Sequence, residues 1–444
     1  MTIQLLQQVR VIDPVSNTDR VADVLIAEGV IKAVEEKIED FPSDTLVSNC
    51  HGLVLGPGLI DLYSHSGEPG FEERENLASL LASATAGGFT RLCILPDTTP
   101  PIDNPAGIAS IKNISQSAIN QISPPPHLPI SPSPHLPTSP PPHLHIWGAL
   151  TASIQGQQMT QLAELASAGV VGFADGQPIE NVALLRRLLE YVQPLNKPVA
   201  LWCCDRRLVG NGAMREGADS IILGLPGNPE IAETTAIATL LELVAAIGTP
   251  VHIMRVSTAR SVELISQAKA RGLPVTASTS WMHLLLDTRS LYTYNPDLRI
   301  EPPLGNRADR VAIIDAVRLG IIDAIAIDHA PYTYEEKTVA FAEAPPGAIG
   351  LELALALLWQ NLVENGQLSA LELWRCLSIN PAKCLQQSAV TIYPNSLAEL
   401  TLFDPQQPWR VEHQTLKSLS TNTPWLGQQI KGRVVQTWVS DTAL

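Results

Sequence analysis

A chain of 444 residues, 45% of them hydrophobic, is too long for one small domain and can bury a large core. Its formal charge of −15 is spread along the chain rather than blocked, which excludes a basic footprint for nucleic acid or an anionic membrane. No apolar run reaches the length of about 18 residues that a membrane span requires.

The first residues, MTIQLLQQVRVIDP, lack the basic flank and apolar run of a secretory signal, so the cytoplasm is the expected compartment. Six cysteines (Cys50, Cys93, Cys203, Cys204, Cys376, Cys384) show no CxxC or disulfide-framework spacing and are expected as buried free thiols. Residues 1–54 read as short strands and turns without long helices.

From residue 55 to 384 the pattern alternates. Apolar strands are predicted at 170–173 (VVGF), 197–202 (KPVALW), 250–254 (PVHIM), 273–277 (LPVTA) and 324–328 (AIAID). Helical stretches separate them at 180–192, 232–247 and 259–272. Such alternation implies a parallel sheet covered by helices, and the number of units suits an α/β fold of the TIM type, a (β/α)8 barrel. Active sites of such barrels lie at the C-terminal strand ends. Segments 397–405 and 432–441 read as strands again, so 1–54 and 385–444 are expected to build one small composite β domain.

One stretch is compositionally foreign. Between residues 123 and 144 an eight-residue repeat, PPPHLPIS, PSPHLPTS, PPPHLH, sets His127, His135 and His143 in the same phase. Proline at this density blocks helix and sheet pairing, so an extended solvated loop is expected, a tolerated surface insertion. Adventitious metal binding by its histidines is the second reading.

The segment GPGLIDLYSHSGEPG (56–70) closely resembles the first-strand motif of metal-dependent amidohydrolases, in which Asp-x-His-x-His places two imidazoles on zinc. Further motifs are GLPGNPEIAE (224–233), VSTARSVELISQAKARG (256–272), PVTAS (274–278), DHAP (328–331) and NPAK (380–383). Together they resemble the dihydroorotases, specifically the bacterial class I type, over nearly the whole chain outside the repeat. That resemblance implies a zinc-dependent enzyme that interconverts carbamoyl aspartate and the cyclic amide dihydroorotate.

The frame is kept while the chemistry is edited. At the metal-ligand positions the resemblance leaves His65, Asp175 (in FADG) and Asp328, the last also the family's catalytic acid/base. Tyr63, Trp202 and Arg255 stand where three histidines are expected. Zinc needs three or four N, O or S donors. Trp202 offers none and fills volume, and the permanently charged Arg255 repels a divalent ion while able to pair with Asp175 or Asp328. Cys203 or Cys204 as replacement ligands are disfavoured by strand alternation, and His283 and His329 read as structural. Tyr63 is expected to donate its phenol to Asp328. The substrate positions are also replaced: Gly67 for an arginine, Asp97 and Glu301 for two amides, Tyr332 for a histidine. Without the arginine the strongest carboxylate contact is lost, and two added acids repel an anion.

Three readings follow. The first is a non-catalytic homologue with no tightly bound zinc, acting as a structural partner of aspartate carbamoyltransferase, as inactive paralogues of the family do. The second is an active dihydroorotase with a reduced zinc site. The third is an amidohydrolase re-purposed for another cyclic amide or a cationic substrate, with Asp97 and Glu301 as a new acidic pocket. A homodimer is open in each, since dimers are common in the family.

Overall fold

The computed structural model describes residues 3–122 and 140–440. Eight short parallel strands form its centre. Leu59–Ser64, Phe89–Ile94, His143–Gly148 and Gly172–Phe173 make one four-stranded sheet. Ala200–Trp202, Val251–Met254, Val275–Ser280 and Ala324–Ala326 make the other. A bridge between Phe173 and Val199 joins them on one side. On the other side the seam is polar: Asp61 Oδ1 accepts from Ile327 N at 2.8 Å, and His65 N donates to His329 O at 2.8 Å. Helices such as Leu77–Ala86, Val182–Val192, Ile231–Ile247, Ala259–Ala270 and Arg307–Arg318 cover the outside. The result is a (β/α)8 barrel.

Strand alternation sorts its residues into two cores. Ile60, Leu62, Cys93, Trp147, Ala200, Trp202, Met254, Ala324 and Ala326 point inward. Leu59, Leu92, Ile94, Leu201, Ile253 and Ile325 point out, under the helices. The interior thus sets alanines against large aromatic rings, and Trp147 Nε1 donates to Leu62 O at 2.8 Å rather than staying unpaired.

A separate sheet beside the barrel has seven strands. Gln4–Asp13, Thr18–Ala27, Val30–Glu35, Leu46–Asn49 and Val54–Pro57 come from the N-terminal part, Leu400–Arg410 and Gln429–Trp438 from the C-terminal part. Val54–Pro57 pairs antiparallel with Leu400–Phe403, which stitches the two ends of the chain together. The stretch 411–427, placed by composition in this β domain, returns instead over the barrel. Glu352 Oε1 accepts from Lys417 N (2.7 Å) and Ser418 N (3.1 Å), Glu75 accepts from Ser418 Oγ, and Trp425 stacks on Trp281 at 5.0 Å.

Residues 123–139 of the repeat, with His127 and His135, lie outside the described residues. Its last unit departs from the expected loop: His143 opens a barrel strand and pairs with Arg91. No proline falls within His143–Gly148, so each amide there can join the ladder, anchored by buried Ile146 and Trp147.

Arg91 and Glu399 tie barrel to sheet. Both are almost fully buried, with Arg91 Nε 2.8 Å and Nη2 2.9 Å from the two carboxylate oxygens. Arg91→Met leaves that carboxylate buried without its cation, a loss of about 3–5 kcal/mol. Urea unfolding measures it; a loss below about 1 kcal/mol would show that the tie carries little.

Candidate functional site

The side chains singled out by the motifs stand at the C-terminal ends of the barrel strands. Tyr63 and His65 end the first, Asp97 follows the second, Asp175 the fourth, Trp202 ends the fifth, Arg255 follows the sixth and Asp328 the eighth. At their centre is an ion pair. Arg255 Nε lies 2.8 Å from Asp328 Oδ2 and Nη2 2.6 Å from Oδ1, a parallel two-bond grip in which the guanidinium is only 4% exposed. Arg255 Nη1 donates to Gly176 O at 2.9 Å. Arg255 (φ 57°) and Asp328 (φ 53°) both adopt left-handed backbone, a conformation that non-glycine residues hold only where surroundings fix it.

His65 completes the cluster. Its Nδ1 bonds to Asp97 Oδ2, and its Nε2 lies 3.5 Å from Asp328 Oδ1 and 3.2 Å from Arg255 Nη2. Burial pulls the imidazole pKa down, but Asp97 and Asp328 outweigh it and raise the value to about 9. Burial pushes against ionisation of Asp328 too, and Arg255 with His65 overrides it, holding the carboxyl far below the usual range. Asp97 is lowered by His65 and Arg255, again against burial. With His65 protonated, two cations and two anions balance.

Two expectations are corrected. Tyr63 does not reach Asp328: its hydroxyl pairs with Ser278 Oγ at 2.9 Å and accepts from Arg255 N at 3.2 Å. Asp328 is already saturated by Arg255, so the phenol serves the strand ends instead. Asp175 does not point into the cluster. It accepts from Leu150 N (2.7 Å), Thr151 N (3.0 Å) and Thr151 Oγ1 (2.5 Å), and burial raises its pKa to about 6 despite these bonds. Three donors offered by the neighbouring strand end hold it as a turn anchor.

A divalent ion does not fit this set. Of the remnant positions only His65 and Asp328 converge, and the Arg255 guanidinium stands between them. Among the described residues no group of three or more His, Cys, Asp or Glu side chains gathers as a metal site. Trp202 fills neighbouring volume, its ring covered by Arg255 at 4.8 Å and by Arg206 at 4.7 Å. Cys203 faces the outer core and Cys204 is partly exposed, so neither joins the cluster. His329 is structural, accepting from Gly350 N at 3.1 Å and facing Glu75 at 3.4 Å.

The substrate positions are rebuilt. A Cβ on Gly67 would come within 2.2 Å of Glu75 O, so the backbone leaves no room there for an arginine. Glu301 is held by Arg206 (3.0 Å), and Arg299 approaches it at 3.7 Å. Tyr332 lies under Arg74 and Lys337, and its amide donates to Asn422 Oδ1 at 3.1 Å. Arg206, Ser278 and Asn422 are partners that the motifs did not single out. Ser278 stands inside PVTAS; the others belong to segments whose approach only the fold defines.

The barrel and the stitched terminal sheet together define an amidohydrolase-type architecture. The chain belongs to the amidohydrolase family, whose model matches residues 54–444, and it groups with the dihydroorotases. It is 46% identical to a Synechocystis sp. protein named "probable dihydroorotase-like protein", over 98% of this chain and 99% of that one. It is 37% identical to a Geobacter sp. protein named dihydroorotase, over 98% and 97% of the two chains. The fold is similar to an L-hydantoinase (dihydropyrimidinase) from Arthrobacter aurescens, with TM-score 0.81, 21% identity and coverage of 100% and 96%.

The raised pKa of His65 fixes a sign. Its contribution to stability is complete below its ordinary value of 6.5 and is lost as pH rises through about 9. An NMR titration of the His65 ring is expected to give a midpoint near 9 that falls in Asp97→Asn. A midpoint at or below 6.5 in the native chain would contradict the cluster's charge balance.

Proposed function

We propose that this dihydroorotase-family protein is non-catalytic and serves in the cytoplasm as a structural partner of aspartate carbamoyltransferase, the preceding enzyme of pyrimidine synthesis. One observation carries the reading: the Arg255 guanidinium grips Asp328 at 2.6 and 2.8 Å, at the position where the family resemblance calls for a metal. A carboxylate so held cannot serve as base, because its proton affinity is suppressed by the same cation. A second support is the loss of the anion-binding arginine at Gly67, where the backbone excludes any side chain. The barrel fold is nevertheless kept whole, as a binding role requires.

The test is the purified chain with zinc or manganese added, assayed for dihydroorotate hydrolysis and its reverse, for retained metal, and for complex formation with the carbamoyltransferase of the same organism. The expected result is no turnover, no retained zinc and a stable complex. Turnover abolished by Asp328→Ala would overturn the reading and establish an active enzyme with a reduced site.

A further inference from the structure

The far end of the barrel, where its strands begin, carries a cleft of its own. The short helix Asn380–Cys384 packs Ala382 and Cys384 into the inner core there. Between this helix and the starts of the strands at Ala200, Val251 and Val275 lies a cleft of about 260 Å³. Pro250, Val251, Leu273 and Pro274 give it an apolar wall, Thr276 and Lys383 a polar edge. Thr276 is partly exposed and Lys383 exposed, so both can meet a guest.

A file of hydrogen bonds runs from this cleft through the barrel interior to the mouth, and its fixed end sets its direction. The Arg255 amide can only donate, and it donates to the Tyr63 hydroxyl at 3.2 Å. Tyr63 passes its own proton to Ser278 Oγ at 2.9 Å, and Ser278 donates in turn to His252 Nε2 at 2.8 Å. Burial and the Lys269 cation lower the His252 pKa to about 3, so the ring is neutral. With Nε2 accepting, its one proton sits on Nδ1 and is donated to Thr276 Oγ1 at 2.9 Å. The reverse direction would leave the Tyr63 proton buried without an acceptor. Thr276 therefore keeps its hydroxyl proton for an acceptor at the cleft. Its neighbour there is the Cys384 sulfur, a weak acceptor that an oxygen can displace.

The charge of the cleft points the same way. The Lys383 ammonium makes no hydrogen bond or ion pair among the described residues. The neighbouring carboxylate, Asp323, is already held by Lys269 Nζ and Ala277 N, each at 2.7 Å. We propose that this cleft is a binding site for a small carboxylate with an apolar body, its oxygens taking the Thr276 hydroxyl proton and the Lys383 ammonium. The cleft exceeds the ~150 Å³ that holds a benzene ring in an engineered core, so a six-membered ring with its carboxylate fits. The site lies at the opposite end of the barrel from the Arg255–Asp328 cluster. It goes beyond the scaffold role and stands whether or not the carbamoyltransferase docks.

Three probes of nearly one shape test it: benzoate, benzamide and benzamidine, anionic, neutral and cationic. Binding to the full chain is read by ligand-observed NMR, in the roughly millimolar range that fragments of this size reach. Benzoate is expected to bind at least about tenfold more tightly than either of the others. Thr276→Val, which removes the hydroxyl, and Lys383→Gln, which removes the cation, are each expected to weaken benzoate about tenfold. If Thr276→Val does not fold, Lys383→Gln still decides. The nitrogen shifts of the His252 ring are expected to show the proton on Nδ1. Benzamide or benzamidine binding as well as benzoate, no binding by any probe, benzoate affinity unchanged in Lys383→Gln, or a His252 proton on Nε2 would overturn the proposal.

Discussion

The contact between Arg255 and Asp328 organises the mouth of this barrel. A buried carboxylate at the end of a parallel barrel needs a cation or several donors, and where it takes a cation the choice of cation decides what else the site can be. A divalent ion would require several converging donors and leave an open coordination position. A guanidinium requires one carboxylate in its plane and closes the position it occupies. The other features follow from this choice. His65 is the second cation and pairs with Asp97. Trp202 and Tyr63 can then press against Arg255, since aromatic faces suit a delocalised cation, at 4.8 and 5.7 Å.

The interior below tolerates this because its volume is shared unevenly. Alanines at 200, 324 and 326 leave room for Trp147, Trp202 and Tyr63. The outer core, the Arg91–Glu399 tie and the terminal sheet belong to the scaffold and do not depend on the site. A fold built in this way keeps its shape independently of what its strand ends carry.

Much of the architecture was legible in sequence because period and punctuation are local. The predicted helix at 232–247 is observed at Ile231–Ile247, and the PVHIM strand at Val251–Met254. The motifs likewise located the strand ends and their substituted residues. The partners were not legible. Whether Asp175 faces the cluster or the turn at Leu150–Thr151 depends on which donors the neighbouring strand end offers, and no spacing encodes that. Tyr63 found Ser278, more than two hundred residues away, for the same reason. The return of 411–427 onto the barrel was hidden because Glu75 and Glu352, which hold it, lie far from it in sequence and meet it only through the fold.

A double-mutant cycle tests the central claim most directly: Arg255→Met, Asp328→Asn and the pair together, compared by equilibrium unfolding. Each single change leaves a buried charge or a buried amide without its partner, so each is expected to destabilise. The double change removes both charges at once, and the coupling between the sites is expected to exceed about 2 kcal/mol. A coupling near zero would mean that the guanidinium does not replace a metal as the tie of the barrel mouth.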